Sequence, residues 1–332
     1  MANTTNPQDT ESCKATKESL YIFYAAVMIV IFILALPLNA SVLHLFIFKL
    51  KFWKSNSNNI FLFNLVLADI LLLFCLPIKA HNFIQGYRRS NNDVVCKAML
   101  FMLFLNRGAS IAFLTVTSID RYFNVVHPGR KNLLRALKKS PQISILIWLL
   151  LLPLTIPTML KNFECCNSLD DKIRALLLSD MVDILREVVF FTQILIPFVV
   201  LVYCTVRIVN RLRKKTVGDT TKLKRAVFLV TSVMVVFSIC FLPCTIARML
   251  LLIVRVRNKG NKLEDGAAVA FDGLMVLSYM DCLLDPLVYC FCSTKFKGLY
   301  LSNYFPFLVK GDPLPIESST GNTPKPQRNN VI

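Results

Sequence analysis

Residues 96–128 read CKAMLFMLFLNRGASIAFLTVTSIDRYFNVVHP. The run is mostly apolar, carries Asn106, Arg107 and Ser110 in its middle, and closes on Asp120-Arg121-Tyr122. As a helix, Cys96 to Arg121 extends roughly 37 Å, slightly more than the hydrocarbon core of a bilayer. Arg107 then lies about 16 Å below Cys96, deep in the membrane. A guanidinium at that depth costs at least ~2.5 kcal/mol on insertion scales, so it is expected to face the protein interior and meet a partner. Either an internal acid such as Asp272 or a bound anion would serve.

Working outward, the whole 332-residue chain has this character. Apolar residues make up 55% and charged ones 17%, too little charge for a soluble protein of this size. The net charge of +18 is not spread as a nucleic-acid surface would need. Loops 49–56, 123–141 and 207–225 hold 3, 5 and 8 Lys/Arg against one acid, Asp219. The alternate loops mix signs, with Glu164, Asp170, Asp171, Asp180 and Asp183 beside Lys161, Lys172 and Arg174. That asymmetry obeys the positive-inside rule, so the basic loops are expected inside the cell and the N-terminus outside.

Residues 1–19 show no basic segment leading an apolar one, so no cleavable signal is expected. Asn3-Thr4-Thr5 is a glycosylation acceptor, in keeping with an outer N-terminus. Cys13, Cys96, Cys165 and Cys166 fall on that oxidising side. Cys75, Cys204, Cys240, Cys244, Cys282, Cys290 and Cys292 lie in or near spans and read as small apolar fillers.

The expected architecture is all-α: an integral-membrane bundle of seven spans over 20–292, with a short amphipathic eighth helix at 294–303. Spans fall near 20–49, 58–85, 93–126, 140–160, 184–212, 222–254 and 266–292. The outer segment is 1–19. Residues 304–332, rich in Pro, Ser and Thr, are expected to be a disordered cytoplasmic tail. Pro37, Pro77, Pro153, Pro157, Pro197, Pro243 and Pro286 sit within or at the ends of spans, where neighbouring helices tolerate them.

One polar or aromatic signature falls in each span. They are Asn39, LADILL around Asp69, Cys96 with Asp120-Arg121-Tyr122, Trp148, Pro197, Phe237 with Cys240-Phe241-Leu242-Pro243, and Asp285-Pro286-Leu287-Val288-Tyr289. In this order they resemble the class A, rhodopsin-like G-protein-coupled receptors. MLFMLFLNRGASIAFLTV, FSICFLPCTIAR and SYMDCLLDPLVYCF further resemble the hydroxycarboxylic acid and oxoeicosanoid receptor group.

The resemblance implies a pocket in which Arg107 binds a ligand carboxylate, lined also by Arg248, Tyr279, Met99, Leu103 and Asn82. Lys79 stands where the small-hydroxyacid receptors have an apolar residue, and Asp272 where they have an aromatic one. Lys79, Arg107 and Arg248 all fall in the outer half of their spans. Three converging cations repel unless an anion sits between them, and a guanidinium fork suits a carboxylate. The plainer alternative pairs Arg107 with Asp272 and lets Lys79 and Arg248 snorkel outward.

Asp69, Asn106, Ser110, Asp281 and Asp285 match the positions that surround a sodium ion in the class, or form an interhelical hydrogen-bond network without one; no other metal or cofactor is expected. Asp281 and Asp285 replace the usual asparagines. By resemblance Arg121 pairs with Asp120 at rest and, beside Tyr122, meets the G-protein on activation. Leu223 stands where many relatives carry a second acid for it. Pro197, Ile111 and Phe237 match the packing switch, with Phe241 in place of the usual tryptophan; ordinary core packing would use the same residues. Cys96 is expected to bridge to Cys165 or Cys166, an order favoured by the group for Cys165, and the remaining cysteine to Cys13.

The function expected is a plasma-membrane receptor for a small organic anion: a hydroxycarboxylic acid, an oxidised fatty acid or a dicarboxylate. Its partners are a heterotrimeric G-protein, by resemblance Gi, with arrestin and membrane lipids, and no nucleic acid. Receptors for nucleotides, lysophospholipids or peptides share basic pockets and are the alternatives, with a polytopic transporter outside the class. An enzyme is disfavoured: His44, His81 and His127 are too scattered for a metal site and no G-x-S-x-G elbow occurs. A light receptor needs a lysine at Tyr279, and an amine receptor an acid at Leu103. No inverted repeat supports a transporter.

Overall fold

Apolar runs become helices because a backbone in hydrocarbon must satisfy its own polar groups. The computed structural model describes residues 17–50, 57–88, 90, 92–127, 140–155, 177–214, 220–257, 261–292 and 294–305. Its helices are α1 (Glu18–His44, extended by a π turn Leu45–Lys49), α2 (Ser57–Ile84), α3 (Asp93–Val126), α4 (Ser140–Thr155), α5 (Leu177–Lys214), α6 (Thr220–Cys240), α7 (Leu242–Arg257), α8 (Asn261–Ser278), α9 (Asp281–Cys292) and α10 (Thr294–Tyr304). Six segments are long and apolar enough to cross a membrane, two of them built from the pairs α6–α7 and α8–α9; α4 is a shorter apolar helix. The all-helical membrane bundle expected from the sequence is the fold observed. Asn3, Cys13, Cys165, Cys166 and the tail from 306 lie outside the described residues.

Two helix breaks have stated causes. Pro243 has no N–H to bond to Ile239, and its ring crowds the preceding turn, so the sixth span parts at Phe241 and restarts as α7. Tyr279 N–H and Met280 N–H tighten onto Val276 and Leu277 carbonyls at 3.1 Å each, closing α8 before α9 begins. Pro286 likewise offers no N–H to the Cys282 carbonyl four residues back. Asn39 of α1 supplies it instead, its Nδ2 donating at 2.8 Å to Cys282 O.

Interhelical contacts are short-range and specific. Trp148 Nε1 donates to Asn64 Oδ1 at 2.9 Å, joining α4 to α2. A Cβ at Gly108 would come within 2.6 Å of Leu151 Cδ2, so a larger residue there would make the end of the Leu151 side chain shift where α3 meets α4. One core gathers around Phe61, Phe113, Phe237 and Phe241, and another around Tyr21, Met28, Leu76, Phe83 and Tyr279. Ile33, Phe74, Leu149, Ile196 and Val199 are exposed on the outside of the bundle, as lipid-facing side chains must be. At the other end Phe296 of α10 stacks on Phe46, and Tyr304 bonds His44 Nδ1 at 3.0 Å, so α10 lies against the end of α1.

Candidate functional site

Asn92 caps α3, its Oδ1 accepting Val95 N–H at 3.2 Å. From that end a partly open cavity of about 110 Å³ runs down into the bundle. Arg107, Lys79, Arg248, Tyr279, Met99, Leu103 and Asp272 all line it. Asn82 does not. Leu72 and Lys79, seven residues apart, mark the α2 line that faces the cavity. Asn82 is turned about 60° from that line and is buried elsewhere.

Arg107 is 8% exposed. Its Nη1 points at Cys244 Sγ (3.6 Å) and Met275 Sδ (3.7 Å), both weak acceptors. Its Cζ sits 4.6 Å from the Phe190 ring centroid and 5.7 Å from that of Phe241. Nε and Nη2 are buried and have no hydrogen-bond partner among the described residues. Rings and sulfur spread the positive charge without neutralising it.

The Arg107–Asp272 pairing allowed by the sequence does not form. Asp272 Oδ2 instead accepts Arg88 Nε (2.9 Å), Arg88 Nη2 (2.7 Å) and the Tyr21 hydroxyl (2.7 Å). Burial works against the Arg88 charge, but Asp272 and Tyr21 beside it together outweigh this, and the Arg88 pKa is raised. Arg248 is also taken. Its Nε donates to Glu187 Oε2 at 3.1 Å and its Nη2 to Glu187 Oε1. Lys79 Nζ donates to the Tyr279 hydroxyl at 2.8 Å and lies over the Phe83 and Tyr279 rings. Snorkelling of Lys79 and Arg248 is therefore not what the fold uses: Arg248 is 5% exposed. Arg88, Glu187, Phe190, Cys244 and Met275 were not singled out from sequence. Glu187, an acid beside Arg186 in an otherwise apolar stretch, was the available signal.

The cavity floor reaches Asn106 and Asp281. Below it Asp69, Ser110 and Asp285 are fully buried. Asn106 Nδ2 donates to Ala68 O at 2.6 Å, Cys282 N–H donates to Asp281 Oδ1 at 2.8 Å, and Cys282 Sγ approaches Asp69 Oδ1 at 3.7 Å. Ser110 Oγ and both Asp285 oxygens have no hydrogen-bond partner among the described residues. No group of three or more His, Cys, Asp or Glu among those residues is placed to hold a metal ion. The three acids thus do not make a carboxylate metal cage, although the unpartnered buried oxygens are hard donors of the kind a monovalent cation takes.

Beneath Arg107 an aromatic column descends. Phe241 packs on Phe237 at 5.3 Å and Phe237 stacks on Phe198, next to Pro197, at 5.9 Å, with Ile111 buried in the same core. At the far end Asp120 and Tyr122 are buried. Tyr122 meets His127 Nε2 at 3.1 Å and the Tyr203 hydroxyl at 3.4 Å. Arg121 and Asp120 make no ion pair within 4.0 Å among the described residues, contrary to what resemblance implies, although the Arg121 charge acts on Asp120 from nearby. Neighbours on a helix point about 100° apart, which keeps the two side chains out of direct contact. Leu223 is buried in the adjoining core. Cys96, at the cavity's outer end, is disulfide-bonded.

A family model described as the 7 transmembrane receptor (rhodopsin family) matches residues 38–289. The chain is a member of that family. This rhodopsin-family receptor is 34% identical over 271 residues to hydroxycarboxylic acid receptor 2 of Homo sapiens, covering 81% of this chain and 74% of that protein. It is 34% identical over 281 residues to the human 12-(S)-hydroxy-5,8,10,14-eicosatetraenoic acid receptor, covering 82% and 86% of the two chains. Human oxoeicosanoid receptor 1 is 27% identical over 316 residues, with 95% and 80% covered. Membership makes the chain a multi-pass membrane receptor working through a G-protein, and sets aside the enzyme and transporter readings.

Proposed function

We propose that this receptor is activated by an extracellular organic carboxylate and signals through the inhibitory G-protein Gi. The ligand classes are a hydroxycarboxylic acid, an oxidised fatty acid such as an oxo- or hydroxy-eicosanoid, or a dicarboxylate. One observation carries the reading: Arg107, buried on the cavity wall, has two guanidinium nitrogens without a partner and no acid in contact. A carboxylate of a guest satisfies them bidentately in a low-dielectric setting, where the pairing is strongest. Apolar Met99, Leu103, Phe104 and Phe190 offer the body of an amphipathic acid its place. The relatives' names point the same way, since they bind hydroxycarboxylic acids and eicosanoids.

The ligand enters from outside, with the receptor in the plasma membrane, its N-terminus outside and, by the positive-inside rule, its basic loops toward Gi and arrestin. Sodium near Asp69, with Ser110 and Asn106, completes the reading. The test is a screen of such acids on cells expressing wild type or Arg107→Ala, read as a fall in cyclic AMP with surface protein counted. Wild type responds and Arg107→Ala, equally abundant at the surface, does not. An unchanged dose–response in Arg107→Ala would return the choice to a nucleotide, lysophospholipid or peptide ligand.

A further inference from the structure

Two guanidiniums face this cavity in opposite conditions. Arg107 meets only sulfur and rings, whereas Arg248 has both fork positions filled by Glu187. Arg248 lies seven residues beyond Phe241, roughly 10 Å further toward the mouth along the helix. It is 5% exposed, with its Cζ 5.4 Å from the Phe271 ring centroid, so it cannot swing away to solvent. Glu187 comes from α5 and is steadied by Arg186 at 3.3 Å. The chain therefore brings its own carboxylate across from another helix to the place where a second acid group of a ligand anchored on Arg107 would arrive.

We propose that Glu187 is a specificity-determining residue: by occupying the Arg248 fork it discriminates against ligands bearing a second carboxylate. The inference rests on the carboxylate reading above. A second acid must displace a bidentate pair or sit beside a like charge, and either loses affinity. Glu187→Gln keeps the side chain's shape and an oxygen for Arg248 but removes the charge. The guanidinium then becomes available to a guest.

The experiment uses matched straight-chain acids, from butanoate to eicosanoate, and their α,ω-dicarboxylates, on cells expressing full-length receptor. It reads the potency ratio of dicarboxylate to monocarboxylate at equal surface abundance. In Glu187→Gln the ratio rises at least about tenfold for chains that span the two guanidiniums. Adding Arg248→Gln to it removes the gain. Arg248→Gln alone leaves Glu187 on the cavity wall with Arg186 as its remaining ion-pair partner, removes the cation that could receive a second acid, and lowers the ratio below wild type, which serves as an independent arm should Glu187→Gln not reach the surface. An unchanged ratio in Glu187→Gln, or a rise that survives in the double variant, overturns the inference while leaving the Arg107 reading intact. Silence of wild type toward every acid would instead overturn both.

Discussion

The Arg107 guanidinium stands 5.7 Å above the centre of the Phe241 ring, which in turn packs on Phe237 at 5.3 Å. A buried cation and the bundle's aromatic core are thus in direct contact. An anion that draws Arg107 toward the cavity weakens its hold on Phe241, and the helix break at Phe241 is where the sixth span has least backbone resistance to bending.

Arg107→Lys tests whether the fork matters beyond its charge. Lysine keeps the charge and loses bidentate geometry and ring stacking. Potency of an activating acid is expected to fall at least about tenfold, with Arg107→Ala losing about 2–5 kcal/mol, roughly thirtyfold to several-thousandfold. Equal potency of the lysine variant and wild type, in a cyclic AMP assay, would remove the bidentate argument.

Phe241→Leu keeps an apolar filler and removes the quadrupole under Arg107. An anion that draws Arg107 off the ring forgoes about 1–2 kcal/mol of cation–π support, so removing the ring should raise potency, by up to about tenfold, while surface abundance holds. Phe241→Ala opens a cavity as well, and about 3–5 kcal/mol of stability goes with it. Thermal melting of the detergent-solubilised variants separates the two effects.

The Arg88–Asp272–Tyr21 cluster ties α1 and α8 to the segment before α3. Tyr21→Phe deletes one hydrogen bond and should cost about 0.5–1.5 kcal/mol. Asp272→Asn leaves the Arg88 charge half-buried without its counterion and should cost more, about 3 kcal/mol. Melting temperatures in the reverse order would contradict the pairing seen here.

The sodium proposal is open to a direct check. Replacing sodium by a large organic cation should shift agonist affinity for wild type and leave Asp69→Asn indifferent. No shift in wild type would mean that Asp69, Asn106, Ser110, Asp281 and Asp285 serve only as an interhelical hydrogen-bond network.

The helical class was legible because apolar runs and a charge asymmetry between loops leave few other folds. Lys79, Arg107 and Arg248 were legible as cavity residues for a related reason: a cation in an apolar run has few places to go. Their partners were hidden. Glu187 and Arg88 sit near span ends, where charge is commonplace, and nothing in their spacing says which of three cations Glu187 will meet. Asp272 illustrates the same difficulty, since its choice of Arg88 over Arg107 depends on how α8 and residues 85–88 sit together. Asn82 missed the cavity by 60° of helical rotation, a distinction that resemblance does not carry. The Cys282 carbonyl, by contrast, was foreseeable in kind: Pro286 had to leave it wanting a donor, and Asn39 was already there in the first span.

Sulfur atoms and ring faces soothe the Arg107 charge, yet they do not quench it, so on the carboxylate reading proposed above the folded bundle carries a standing penalty until a guest arrives. Anything that settles there stabilises the native state by mass action. Receptor density on a cell should therefore track ambient ligand, rising with supply and thinning in its absence, even where no signal is being read.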